Sequence, residues 1–196
     1  MRIQPSRRVA VLLEIGVIGY LLGAVAWMLF WPAIAGLYFL GYLGFPLSAV
    51  GLILAGLGCF ALGKLYNRWL ASVTGITYIA TAVPFLLMNN LLPSMGGFSG
   101  SLRWLIGIGG FKLFTLSLFM WAVAGLDIAK LTHQNRLAVA IFLTSVITAV
   151  LIFIGMNVPY WSPLAPTLFA TPFYVILGII SATMLHKIGL DTRQSL

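Results

Sequence analysis

The chain is poor in charge: Asp, Glu, Lys and Arg make up 7% of its 196 residues, and only three residues are acidic. It has two histidines and a single cysteine, whereas 61% of its residues are hydrophobic. One cysteine excludes an intrachain disulfide and a cysteine-based metal site. Because acids, bases and nucleophiles are so few, we predict no metal and no cofactor, and the composition argues against an enzyme.

The hydrophobic residues form six blocks, each long enough for a membrane-spanning helix. A helix rises ~1.5 Å per residue and the hydrocarbon core is ~30 Å thick, so a span needs ~20 apolar residues. We therefore expect an all-α, polytopic membrane helix bundle that forms a single domain over residues 1–196. The predicted spans are 9–31, 46–63, 70–92, 104–126, 137–157 and 164–186.

The basic residues are distributed unevenly between the two sides of these spans. If the spans alternate in direction, only Arg103 lies on the side away from the N-terminus, and Lys112 lies within a span. This bias predicts a plasma-membrane protein with both termini in the cytoplasm. It also accounts for the net charge of +8 without a nucleic-acid partner, since these side chains can contact anionic headgroups. The basic residues on the N-terminal side are Arg2, Arg7, Arg8, Lys64, Arg68, Lys130, Arg136, Lys187 and Arg193.

Residues 32–45 are apolar and aromatic but too short to span the bilayer. They suit an interfacial or re-entrant segment. The alternative is one long second helix that is kinked at Pro46.

Small residues indicate where helices approach each other closely. Gly19 and Gly23 form a GxxxG pair in the first span, and Gly51, Ala55 and Cys59 share one face of the second. We expect these faces to pack within the chain, because six helices must first pack on one another. A homo-oligomer or a partner in a membrane complex remains the alternative.

One short motif suggests catalysis. Residues 97–100 match the GxSG sequence that holds the serine of rhomboid proteases, and they precede the fourth span. A serine nucleophile needs a base within hydrogen-bond reach. The candidate histidines, His133 and His186, fall on the cytoplasmic side, a bilayer away from Ser99. A rhomboid-like protease is therefore not expected, and neither histidine is placed to ligate a haem within the membrane.

Two charges lie within predicted spans, Glu14 in the first and Lys112 in the fourth. A charged side chain at such depth costs a few kcal/mol, so each needs a partner or a route to the surface. One alternative is that Glu14 extends to the cytoplasmic surface and Lys112 snorkels outward. The other is a polar site inside the bundle, with Lys112 facing the interior and Thr115 one helical turn away.

Two prolines support the second alternative. Pro84 and Pro172 lie near the depth of Lys112, and each frees a backbone carbonyl. Together with Asn89 and Asn90, they would line an outward-facing polar cavity, similar to the midplane sites of carriers.

Two functions are compatible with these features. The first is a transporter or channel-like protein for a small polar or anionic solute. In its size and its six short spans the chain resembles small acetate-uptake transporters, although it lacks an Asn-Pro-Ala-Pro stretch near its start. The second is a non-catalytic subunit or assembly factor of a larger membrane complex, for example a respiratory one.

The predicted orientation can be tested by cysteine labelling. We expect cysteines introduced at Ser94 and Ser162 to react with a membrane-impermeant thiol reagent added outside intact cells. A cysteine at Gln134 should not react, because it lies on the cytoplasmic side. Reversed labelling would overturn the orientation.

Overall fold

The computed structural model describes residues 7–29, 38–91, 99–157 and 165–195. Over these residues the chain is helical, without strands, and all six helices are long and apolar enough to cross a membrane. The prediction of an all-α polytopic bundle is confirmed, and the chain is a multi-pass membrane protein. The helices are α1 (Arg7–Met28), α2 (Tyr38–Tyr66), α3 (Trp69–Leu91), α4 (Ser99–Leu131), α5 (Asn135–Asn157) and α6 (Ala165–Gln194).

The helices form a closed ring in chain order. Each helix packs against the next one, and α6 packs back against α1. Because the helices alternate in direction, the start of α1, the α2–α3 and α4–α5 turns and the end of α6 lie at one end of the ring. We call this the basic end, since it carries Arg7, Lys64, Arg68, Lys130 and Arg193. That it faces the cytoplasm stays a prediction, and Ser94 and Ser162 lie outside the described residues.

Both turns at the basic end are tight helix caps. Asn67 and His133 have φ values of 55° and 56°, the left-handed conformation that ends many helices. The Arg68 amide donates to the Gly63 carbonyl at 2.8 Å, and the Gln134 amide donates to the Ala129 carbonyl at 2.7 Å. These bonds satisfy carbonyls at the ends of α2 and α4. His133 is therefore a capping residue in a turn.

The closest helix approach is between α1 and α2. A Cβ added to Gly51 would lie 2.8 Å from the backbone nitrogen of Gly23, and one added to Gly16 would lie 2.6 Å from the Cα of Gly58. Gly19 lies against the backbone of Ala55. The Gly19–Gly23 pair thus contacts a helix of the same chain, and the absence of a side chain at Gly16, Gly19 and Gly51 allows this separation.

Three helices extend well beyond their predicted spans, and one of them, α4, is longer by five residues at each end. From Tyr38 onward α2 follows the long-helix alternative and continues through Pro46; residues 30–37 lie outside the described part. The last helix continues to Gln194, although hydropathy alone ends that span at residue 186. In this extension Ile188 and Thr192 are buried while Asp191 is exposed, so an amphipathic end continues past the apolar segment.

The close packing of α1 leads to a prediction about stability. Gly19→Ile places a branched side chain against the backbone of α2, and Gly23→Ile places one against the Tyr174 side chain of α6. Overpacking of this kind costs about 1–3 kcal/mol or more. Both variants should unfold at clearly lower temperature in detergent than the wild type. Leu21→Ile is the matched control, because Leu21 is 44% exposed on the outer face of α1. Equal unfolding temperatures for all three variants would contradict the close packing.

Candidate functional site

Five polar or aromatic side chains meet in the middle of the ring. The ring of Tyr20 contacts those of Tyr78 and Trp121, with centroids 6.2 and 5.6 Å apart. The Tyr20 hydroxyl lies 3.2 Å from the Cys59 sulfur, and the Trp121 indole nitrogen donates to the Ser181 hydroxyl at 3.0 Å. All five are at most 2% exposed. We call them the central cluster; they come from α1, α2, α3, α4 and α6.

A seven-residue spacing positions this cluster within the core. Seven residues are about two helical turns, or ~10 Å, so residues at this spacing lie on the same face of a helix. The four helices that carry Tyr20, Tyr78, Trp121 and Ser181 each have a buried aromatic residue seven positions farther from the basic end. These form the aromatic layer: Trp27, Phe85, Phe114 and Tyr174. Seven positions closer to the basic end than the central cluster, the same helices carry small or aliphatic residues. These form the aliphatic layer: Leu13, Ala71, Ile128 and Ile188.

The aromatic layer is continuous across the ring. The Trp27 ring centroid lies 4.7 Å from that of Tyr174 and 5.4 Å from that of Phe114. Phe85 in turn lies 6.1 Å from Phe114. Rings in such contact close the axis of the bundle on that side of the central cluster. On the other side, the aliphatic layer belongs to the same packed core.

Three buried hydroxyls in the described part of the chain make no well-aligned hydrogen bond: those of Ser48, Tyr78 and Ser145. The Tyr20 hydroxyl nevertheless lies close to that of Tyr78. A buried hydroxyl without a partner costs about 1–3 kcal/mol. Other interior hydroxyls avoid this cost by donating to a carbonyl one turn back, as Thr74 and Thr81 do. Tyr78 differs from Ser48 because its hydroxyl belongs to the central cluster. It supplies a donor and an acceptor that can bind a polar molecule.

Lys112 does not face the interior, so the structure departs from the alternative of an inward-facing lysine. It is exposed on the outer face of α4, in line with Leu116, Phe119 and Val123, which are 50%, 40% and 51% exposed. Thr115 is buried, but its hydroxyl donates to the Phe111 carbonyl at 2.8 Å. The outer face of α4 therefore carries an apolar stripe with one lysine.

The length of α4 explains how this lysine is tolerated. The helix continues to Leu131 at the basic end, where Asp127 pairs with Arg68 at 3.0 Å. Lys112 lies 15 residues from Asp127, or ~22 Å, which leaves ~8 Å to the far boundary of a ~30 Å core. A lysine side chain directed outward spans much of that distance. The snorkelling alternative therefore fits the geometry.

Glu14 also has a local partner. Its carboxylate lies 2.5 Å from the Arg193 guanidinium at the end of α6. Both side chains are partly exposed, at 35% and 48%. Glu14 is therefore paired at the basic end, and the contact with Lys112 that a shared interior site requires is not formed.

The remaining predicted site residues lie on α3 and α6. Pro84 packs against α4, where a Cβ added to Gly110 would lie 2.8 Å from the Pro84 ring. Pro172 is exposed on α6. Asn89 and Asn90 lie in the last turn of α3, and their side chains are outside the described part. Solute binding by these residues stays a prediction.

The sequence analysis did not identify the central cluster, although one signal was present. Aromatic residues recur at a spacing of seven as Tyr20 and Trp27, as Tyr78 and Phe85, and as Phe114 and Trp121. This regularity is independent of charge, which is why attention to charged residues did not detect it.

Within the described ranges, no three His, Cys, Asp or Glu side chains are close enough to hold a metal ion. No protein-family model, curated protein or solved structure matches this chain.

Proposed function

We propose that this protein allows a small, uncharged polar solute to pass along the axis of the helix ring, with the central cluster as its binding site. The observation that carries the proposal is the buried Tyr78 hydroxyl, which makes no well-aligned hydrogen bond although the Tyr20 hydroxyl lies close by. It lies beside the Tyr20–Cys59 and Trp121–Ser181 hydrogen-bonded pairs, between two apolar layers.

The chemistry of the interior favours a neutral solute. The buried polar side chains of the described residues are serines and threonines, together with the tyrosines, tryptophan and cysteine of the core. A desolvated anion needs a cation nearby. Lys112 and Arg193 do not supply one, because both are exposed. The anionic solute that the sequence also suggested is therefore less well supported than an uncharged hydrogen-bonding one.

The two apolar layers give this pathway its gates. A solute at Tyr78 is enclosed by the aromatic layer on one side and the aliphatic layer on the other. Apolar constrictions hinder polar permeants when they are dry and closely packed. Passage would require side chains such as Phe114 to change rotamer, so this arrangement corresponds to an occluded state.

A non-catalytic subunit of a larger membrane complex is the second candidate, and Lys112 is the observation that favours it. An exposed cation on an apolar outer face can pair with a carboxylate of a partner helix. Gentle extraction distinguishes the two candidates, since a subunit would purify with fixed partners.

A swelling assay tests the proposed pathway. Proteoliposomes containing the wild-type chain should swell faster than empty vesicles in gradients of urea or glycerol, followed by stopped-flow light scattering. Tyr78→Phe keeps the ring but removes the hydroxyl, and one lost hydrogen bond of about 1 kcal/mol should slow solute entry about fivefold. Tyr66→Phe, at the basic end of α2, is the control and should leave the rate unchanged. Swelling no faster than that of empty vesicles would exclude the proposal for these solutes.

Lys112→Met tests the role of the exposed lysine. The variant keeps most of the bulk and removes the charge. On the proposed pathway, solute entry should be unchanged and thermal stability equal or slightly higher, because a desolvation cost disappears. Loss of a co-purifying partner in this variant would instead support the subunit function.

A further inference from the structure

The basic end carries a groove that is separate from the central cluster. It has a volume of about 410 Å³ and lies between the start of α3 and the end of α4. The polar part of its lining includes Arg68, Asp127 and Lys130, while Leu70 and Val123 contribute apolar surface. A charged half and an apolar half thus adjoin within one groove.

This groove opens on the outer face of the ring. Val123 is 51% exposed and continues the apolar stripe of Leu116 and Phe119 along α4. Trp69, at the rim, is 74% exposed. Tryptophan concentrates where apolar and polar regions of a membrane meet, because its ring is apolar and its N–H donates. The groove therefore spans the level between acyl chains and headgroups.

The charges in the groove leave one cation in excess. Arg68 and Asp127 pair at 3.0 Å through the Nε atom of the guanidinium and neutralise each other. Lys130 is exposed and makes no ion pair with the other described residues. The terminal nitrogens of Arg68 also keep donors that the Nε contact does not use. A single negative charge with several acceptor oxygens complements this arrangement.

We propose that the groove binds the headgroup of an anionic phospholipid that carries a singly charged phosphodiester. Lys130 and the terminal nitrogens of Arg68 contact the phosphate, and the Trp69 indole donates to the headgroup or its ester oxygens. One acyl chain lies along Val123, Leu116 and Phe119. This binding site is independent of the proposed solute pathway.

Competition between lipids tests the site in the intact protein. The chain, purified in a neutral detergent, is titrated with phosphatidylglycerol or phosphatidylcholine of identical acyl chains, and bound lipid is measured by native mass spectrometry. Phosphatidylglycerol should bind more tightly and raise the unfolding temperature more, since a ligand of the folded state stabilises it by mass action. Equal binding of the two lipids would overturn the proposal.

Charge substitutions locate the site. Lys130→Gln should weaken phosphatidylglycerol binding about tenfold, the effect expected for losing one charge-assisted hydrogen bond, and Lys130→Arg should retain it. Lys187→Gln removes an exposed cation at the same end of the ring but outside the groove and should have no such effect. If Lys187→Gln weakens binding as much as Lys130→Gln, general surface charge explains the binding and the groove does not.

Two further ligands distinguish the source of the phosphate. Glycerol 3-phosphate without acyl chains should not protect the protein at concentrations where phosphatidylglycerol does, because it lacks the contact with the apolar stripe. Protection by glycerol 3-phosphate alone would assign the groove to a soluble ligand. Preference for phosphatidylethanolamine would mean that Asp127 binds an ammonium group, and would likewise contradict the proposal.

Discussion

Close backbone contact between helices is the constraint on which this fold depends. In a bilayer, the hydrophobic effect does not distinguish the interior of a helix bundle from its lipid-facing surface, because both are apolar. Association must then come from shape and from hydrogen bonds. At the α1–α2 contact, Gly16 meets Gly58, and Gly51 meets the backbone of Gly23. Because the helices lie this close together, side chains can fill the centre of the ring.

The side chains that fill the centre of the ring are arranged in layers of different chemistry. Aromatic, polar and aliphatic residues succeed each other at two-turn intervals along four helices. The two outer layers exclude water from the middle one, which raises the cost of an unpaired hydroxyl there. Tyr20 and Trp121 offset that cost with Cys59 and Ser181 as partners, whereas Tyr78 has only the nearby Tyr20 hydroxyl and makes no well-aligned hydrogen bond. Tyr78 thus differs from Tyr20 and Trp121 in its hydrogen bonding, and this difference is the reason that it indicates a binding site.

Hydropathy predicted the six helices because each apolar block matches the bilayer in length. It misplaced the end of α6, since a helix continues past the membrane wherever its buried face does, as at Ile188 and Thr192. The candidate site was harder to predict. A charged side chain in a span carries a desolvation cost, but the partner that offsets this cost can come from a distant part of the chain. Glu14 is matched by Arg193, 179 residues later, and only the ring closure of α1 on α6 reveals the pair.

The pairing of Glu14 with Arg193 also has a consequence for biogenesis. The carboxylate belongs to α1 and the guanidinium belongs to the last turn of α6. During synthesis α1 can pack on α2 early, but its face toward α6 has no neighbour and Glu14 lacks this counter-charge until α6 has been made. The ring of helices therefore stays open until then, and the last turn of α6 carries the charge that pairs with Glu14 when the ring closes.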